Sequence, residues 1–469
     1  MKTLSIACAL LFVATQSLAQ KEIQLPKDLP SYGPERPLAA PSVKIAKLDN
    51  GLTVWLISEP GFPKVSFSFA VRGGLAADPS DRPGISQLLG NTIDQGTKTL
   101  SAKQIAQQLQ AAGGDLSTSP SKDSIILSIS VLSAKQNDAL TVLSDLVRNA
   151  TFPDAEVTLA KRNAADQLRQ EESQPSFVAG RAMAIILFGD HPYHVTSATQ
   201  ESISASTPDD LRKIYAQRFR PDRALLVAVG DFENDKLLDA VKSRFGEWKA
   251  PSTPPVTVPS ATSVTPQHSI YVIPRPGSVQ TTLELGTFGP LRNSQDYEAA
   301  VVANAIYGSM FGSRLVRNIR EDKGYTYSPF AALRTYQASG MLVTQADVRN
   351  AVTAPSLNEI LYELNRMVTT SPTADELETA KRFLVGIEAI RLQSRAAVSD
   401  ELARLWVNGL QPDAIGAYGR RVAATTTQDV DAAAKKYFPA ANTAIVAVGE
   451  EKVVRDELAP FGLPLLTAP

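Results

Sequence analysis

RFRPDRALLVAVGDF, residues 218–232, and KYFPAANTAIVAVGEE, residues 436–451, are two copies of one pattern. In each, a Phe stands eleven residues before a Gly: Phe219 before Gly230, and Phe438 before Gly449. The short apolar run between them, with a Pro near its start and a Gly at its end, reads as a buried strand. The repeat continues upstream, where DAEVTLAKR (154–162) matches ADELETAKR (374–382). Arg162 and Arg382 are 220 apart, and Gly230 and Gly449 are 219 apart. One nearly constant offset at two separate places indicates a duplication. A period this long implies two homologous domains, not a solenoid.

Between the copies lies APSTPPVTVPSATSVTPQ (250–267), rich in Pro, Ser and Thr and free of charge. It reads as an extended linker. The expected organisation is a first domain over 20–249, a linker over 250–268 and a second domain over 269–469. Each half mixes element types. KIAKLDNGLTVWLIS predicts a hairpin around Asn50-Gly51. PKVSFSFAVRGG and SIILSISVLS alternate with period two, the latter placing Ile125, Leu127, Ile129 and Val131 on one side. SAKQIAQQLQAAGG predicts a helix capped by Ser101, with Ile105 and Leu109 on one face and Gly113 at its end. Clustered strands followed by clustered helices define an α+β class with mostly antiparallel sheets, here two such domains forming a clamshell.

The N-terminus reads as export machinery. Met1-Lys2 is followed by LSIACALLFVA, an apolar run too short to span a bilayer comfortably, and by Ser17 and Ala19 at the positions a signal peptidase reads. Residues 1–19 are therefore expected to be a cleavable signal peptide, and the bacterial periplasm the destination. Cys8 is the one cysteine and would leave with the signal, so neither a disulfide nor thiolate chemistry is expected. The 469-residue chain carries 47 basic and 48 acidic residues, a formal net charge of −1. That balance offers nothing to nucleic acid or to an anionic membrane. No second long apolar run follows, so no membrane span is expected once the signal is removed.

RPGISQLLGNTIDQGT (82–97) looks like the frame of a metal site, with a Pro-Gly entry, an apolar helical repeat and a Gly-Thr exit. After it come QAAGGDLSTSPSKDS (110–124), DLVRNATFPDAEVTLAKRNAADQLRQ (145–170) and FGDHPYH (188–194). Together these segments resemble the pitrilysin/insulinase-like zinc metallopeptidases, the inverted zinc motif family, over nearly the whole chain after the signal. Their motif is H-x-x-E-H on a helix. Two imidazoles four residues apart stand one turn above each other and reach one zinc ion, and the Glu between them takes a proton from the bound water. Laid on that pattern, the first His falls on Gln87, the Glu on Gly90, the second His on Asn91, and the distal Glu on Gln167, beside Asp166. Neutral amide oxygens are poor zinc ligands, and a glycine cannot be a base. No metal is expected in this chain, and alone it is expected to be inactive. His191 and His194, with Asp190, form a D-H-x-x-H cluster that a metal could use; a turn leading into a helix is the weightier reading. His268, at the end of the linker, is expected to be solvated.

YGSMFGSRLVRNIREDKGYTYSPF (307–330) keeps what the first half lacks. Arg320 and Tyr327 are seven apart with Gly324 between them, as are an Arg and a Tyr in the second domain of the resembled enzymes. There the pair contacts substrate backbone and stabilises the oxyanion of the tetrahedral intermediate, a role that suits a guanidinium and a phenol. Arg320 is expected to end a helix in which Leu315 and Ile319 share a face, and Tyr327 to start or lie within a strand. The resemblance implies a non-zinc-binding subunit of a heterodimeric periplasmic metalloendopeptidase. Its partner would be a homologous subunit with an intact H-x-x-E-H motif and the Zn, and its substrate a peptide added to a sheet edge. The alternative is a catalytically inactive peptide-binding or scaffold homologue.

Overall fold

The duplication reappears as two six-stranded sheets. The computed structural model describes residues 40–261 and 266–469; the signal-peptide assignment lies outside the described residues. The first sheet holds β1 (Lys44–Lys47), β2 (Thr53–Ser58), β3 (Lys64–Arg72), β4 (Leu116–Pro120), β5 (Ser124–Leu132) and β6 (Ala224–Gly230). The second holds β7 (Ile270–Pro274), β8 (Gln280–Phe288), β9 (Phe330–Thr335), β10 (Gly340–Arg349), β11 (Ala444–Gly449) and β12 (Leu465–Thr467). Strand orders are β1-β2-β6-β3-β5-β4 and β12-β7-β11-β8-β10-β9. In both, the repeated late strand runs parallel to one neighbour (β2 or β7) and antiparallel to the other (β3 or β8). The sheets differ at one edge, where β1 makes an antiparallel hairpin with β2 while β12 returns from the C-terminus parallel to β7. The α+β class and the two-domain organisation are as expected.

Local signals account for these elements. Gly51 turns the first hairpin at φ 99°, a region open to glycine at little cost, and the Asp222 backbone lies 3.0 Å from where a Cβ would stand. β3 and β5 pair from Lys64↔Leu132 to Arg72↔Ser124, which sends Phe67, Phe69, Leu127 and Ile129 into the first core. Ser101 and Gln104 form a capping box for the helix Ala102–Ala111, whose Ile105 and Leu109 are buried. Among the described residues no helix is long and apolar enough to cross a membrane.

What joins the halves is an exchange of helices. The helix Pro175–Phe188 of the first half packs on β8 and β11 of the second sheet. Its copy, Arg395–Val407 of the second half, packs on β3 and β6 of the first. Two apolar clusters result. One sets Trp55, Leu225 and Val227 against Leu402, Leu405 and Ile415; the other sets Met183, Leu187 and Phe188 against Val343, Val446 and Val448. The polar residues at these contacts differ. In the first, Asp400 on the helix accepts 2.5 Å hydrogen bonds from Ser68 on β3 and Ser128 on β5. In the second, Gly180 on the helix lies over Glu284 on β8, and neither carboxylate oxygen of Glu284 has a hydrogen-bond partner among the described residues. Burial pushes Glu284 up to about 7, with the charge of Arg334 opposing the shift.

The β4–β5 and β9–β10 turns also meet. Buried Asp123 accepts from the Tyr193 hydroxyl at 2.8 Å and from the Gln337 backbone N–H at 2.8 Å, and the Ala338 N–H donates to the Tyr193 oxygen at 2.9 Å. The described linker residues up to 261 are mostly exposed, and there Arg220 donates to the Thr253 carbonyl and a ring nitrogen of His191 bonds the Pro259 carbonyl.

Two measurements check this account. Leu402→Ala empties a fully buried site between the halves and is expected to cost about 2–5 kcal/mol in urea denaturation. Both halves should still unfold in one transition; two separated transitions would mean that the exchanged helices do not couple them. Glu284 binds its proton more tightly when folded than when unfolded, so its penalty is absent at low pH and complete above about 7. Glu284→Gln is expected to gain stability relative to the parent as pH rises from 5 to 8, on the order of 2 kcal/mol. A constant difference over that range would show that Glu284 does not titrate there.

Candidate functional site

The helix that carries the metal-site frame is short, Ile85–Gly90, with Asn91 as its C-terminal cap. It starts from Gly84 at φ 79°, against which the Ala198 backbone presses so closely that no Cβ would fit. The Gln87 side-chain oxygen accepts the Ala198 N–H at 3.2 Å, tying this helix to the segment before the helix Gln200–Ala205. Buried Asp78 accepts from the Ser86 hydroxyl and backbone N–H and lies 3.6 Å from the buried guanidinium of Arg218. Burial raises Asp78 to about 6 despite these partners.

Gln87, Asn91 and Gln167 line one cavity of about 190 Å³, together with Glu171, Ser197 and Ser202. Gln167 lies on the helix Asp154–Glu172 and donates its amide to Glu171 at 2.9 Å. Asp166 does not line this cavity; it is exposed and paired with Arg169. Gly90 stands against the end of the edge strand β4. A Cβ there would lie 2.5 Å from the Pro120 ring and 3.3 Å from the Thr118 methyl group. The space that a side chain at position 90 needs is thus taken by another residue.

These residues do not fit zinc. The Gln87 oxygen is committed to a backbone N–H, Gly90 has no donor, and an amide lacks the negative charge or imidazole basicity that zinc selects. Among the described residues, no group of three or more His, Cys, Asp or Glu side chains is placed to hold a metal ion. His191 caps the short turn Pro192–His194 by accepting the Tyr193 N–H, and the His194 ring bonds the His191 carbonyl. His268 is half-buried and bonded to the Thr443 carbonyl at 2.9 Å, so the expectation of a solvated ring gives way to a structural contact where the linker enters the second sheet.

In the second half, Ser313 caps a helix that begins at Arg314–Val316 and widens into a π-turn over Arg317–Asp322. Leu315 and Ile319 are fully buried beneath it. Gly324 reverses the chain at φ 64°. Tyr327 lies in the loop before β9, not on a strand; the strand begins only at Phe330. The turn does bring the pair together. The Arg320 guanidinium is 4.8 Å from the Tyr327 ring centre and 4.3 Å from that of Phe311. Tyr327 is 80% exposed and Phe311 64%, so this cation–aromatic group faces outward. The local sequence around Asp78, Ser86 and Arg218 carries no pattern that announces their buried cluster.

Two sheets related by duplication, with a degenerate metal-site frame in the first half, define a two-domain peptidase-like fold. A family model described as Insulinase (Peptidase family M16) matches residues 53–194, and one described as Peptidase M16 inactive domain matches residues 205–384. The chain belongs to the insulinase-like M16 peptidase family, as a member of the inactive type. It is 27% identical over 357 residues to the "Uncharacterized zinc protease YmxG" of Bacillus subtilis, covering 75% of this chain and 85% of that one. It is 25% identical over 331 residues to the "Non-peptidase homolog YmxG" of Helicobacter pylori, covering 69% and 74%. The crystal structure of a peptidase M16 inactive domain from Pseudomonas fluorescens superposes with a TM-score of 0.81 at 23% identity, covering 91% of this chain and 99% of that one.

Restoring a glutamate at position 90 should fail on packing grounds. Gly90→Glu is expected to lose about 1–3 kcal/mol through overpacking against Pro120, in spite of the better helix propensity. Adding Pro120→Ala should recover most of that loss. Additive effects in the double variant, measured by chemical denaturation, would show that the two residues do not compete for one space.

Proposed function

We propose that this chain is the non-zinc-binding subunit of a heterodimeric metalloendopeptidase, exported to the periplasm by residues 1–19. A homologous partner with an intact H-x-x-E-H motif supplies the zinc and cleaves peptides. This chain lends it Arg320 and Tyr327, which bind the substrate backbone and stabilise the oxyanion.

The observation that carries this reading is the contrast between the halves. The first half has amides and a filled space where metal and base would act. The second keeps an Arg and a Tyr in contact with each other on an open surface. A guanidinium and a phenol placed outward can act on something the chain itself does not contain. A peptide carbonyl that develops negative charge is a suitable target, because each such donor typically contributes about 3 kcal/mol.

The alternative is a peptide-binding or scaffold homologue without catalytic part. It draws support from the stacking of Arg320 between rings, which a purely structural residue would also show.

The test is reconstitution. The purified chain should neither bind zinc nor hydrolyse peptides. Mixed with a homologue that carries H-x-x-E-H, it should raise peptidase activity, and Arg320→Ala should lower kcat by roughly 100-fold with little change in complex formation. Tyr327→Phe should lose a smaller share. Full activity of the partner alone, or of the mixture containing Arg320→Ala, would refute the proposal. Peptide binding without hydrolysis in every pairing would favour the scaffold reading.

A further inference from the structure

The helix Ala374–Arg391 repeats the helix Asp154–Glu172 at an offset of 220, so Ile387, Glu388 and Arg391 stand where the first half has Gln167, Leu168 and Glu171. In the first half the three residues line the amide cavity. Their second-half counterparts also line a cavity, of about 370 Å³. The same place in the fold is hollow twice, but the chemistry is reversed. One cavity is walled mainly by neutral side chains; the other is walled by ions and phenols.

The ions of the second cavity do not balance. Glu388 and Glu401 are both buried, 7% and 5% exposed. Arg391 lies 2.6 Å from Glu388 and 3.3 Å from Glu401, and Arg404 lies 3.1 Å from Glu401. These two arginines and two glutamates satisfy one another. A third arginine of the same cavity, Arg292, has no carboxylate within ion-pair distance among the described residues. Its guanidinium is held by aromatic faces instead, 4.1 Å from the ring centre of Tyr297 and 5.9 Å from that of Tyr418. Stacking fixes the plane of a guanidinium and leaves its N–H edge free to donate. The hydroxyls of Tyr297 and Tyr418 also have no hydrogen-bond partner among the described residues. Burial raises both phenols above their ordinary range, so they remain O–H donors.

We propose that this second-half cavity binds the free carboxylate of a peptide C-terminus, paired with Arg292 and hydrogen-bonded by the hydroxyls of Tyr297 and Tyr418. The lining holds three arginines against two glutamates, so although the charge of Arg292 also acts on Glu388, one added negative charge balances the cavity, and charge-assisted bonds from a planar guanidinium are the strong kind. Ile387 and Leu405 line the same cavity beside the charges and suit an apolar C-terminal side chain. That the carboxylate belongs to a peptide rests on the function proposed above; that the cavity accepts a carboxylate does not.

The experiment uses the whole chain without a partner. An N-acetylated tetrapeptide ending in leucine is titrated by calorimetry as the free acid and as the C-terminal amide, with inorganic phosphate as competitor. The acid is expected to bind saturably and the amide at least tenfold more weakly. Arg292→Gln should weaken the acid at least tenfold, and Tyr418→Phe, which keeps the ring beneath the guanidinium, several-fold. Circular dichroism of both variants shows that they fold. Equal affinity for acid and amide, no saturable binding of the acid, or an unchanged affinity in Arg292→Gln would overturn the proposal, as would binding of phosphate alone. The two proposals fail separately: an inactive reconstituted mixture with acid-selective binding intact sinks the subunit reading and leaves the cavity, and the reverse result does the opposite.

Discussion

A sheet with two apolar faces must be covered twice. All seven residues of β6 and all six of β11 are buried, so each sheet has to be covered on both of its faces. The helices of one half form the large core beneath its own sheet and leave the other face bare. That face is closed by a helix from the opposite half, and the loan is reciprocal. Burial of apolar surface is non-directional, which is why a backbone related by duplication can solve the problem in the same way on both sides. The arrangement is that of an isologous dimer built within one chain. Each half completes the other, and the linker connects two bodies that already need to be adjacent.

Backbone symmetry has not imposed symmetry of charge. At one exchanged contact the carboxylate sits on the helix as Asp400 and is satisfied by serines of the sheet. At the other it sits on the sheet as Glu284 beneath a glycine of the helix, without a donor among the described residues. The equivalent cavities differ likewise, amides in one and a cluster of arginines, glutamates and tyrosines in the other. Duplicated positions share a location, a helix face and a neighbouring strand, but the side chains there answer to different partners. Function in such a fold belongs to particular residues and not to the architecture.

The metal-site frame is held in the fold by contacts that need no metal. Gln87 still faces the cavity, but its oxygen now fastens two segments together. Pro120 at the end of β4 fills the space that a side chain at position 90 would need. The helix is kept because its apolar face, Ile85, Leu88 and Leu89, belongs to the first core. Arg320, half-buried on the π-turn, and Tyr327, exposed in the loop that follows Gly324, belong to no such core.

Much of this was already present in the sequence. The period-two strands, the Asn50-Gly51 turn, the Ser101 cap and the repeat offset are local or additive signals, and each led to the element observed. The identities of Gln87, Gly90, Asn91 and Gln167 and the spacing of Arg320 and Tyr327 were equally plain. The aromatic-rich run before Phe330 has strand composition and so points to a strand at Tyr327, while its backbone bends and the strand begins only at Phe330. Only the tertiary structure decided which helix covers which sheet, that Pro120 meets Gly90, that Asp78 lies beside Arg218, and that Arg292 stands over Tyr297 with Tyr418 near it. Periodicity states that a face will be buried; it does not state by what. Those choices join residues far apart in the chain, and they are made by shape and charge complementarity that no local pattern records.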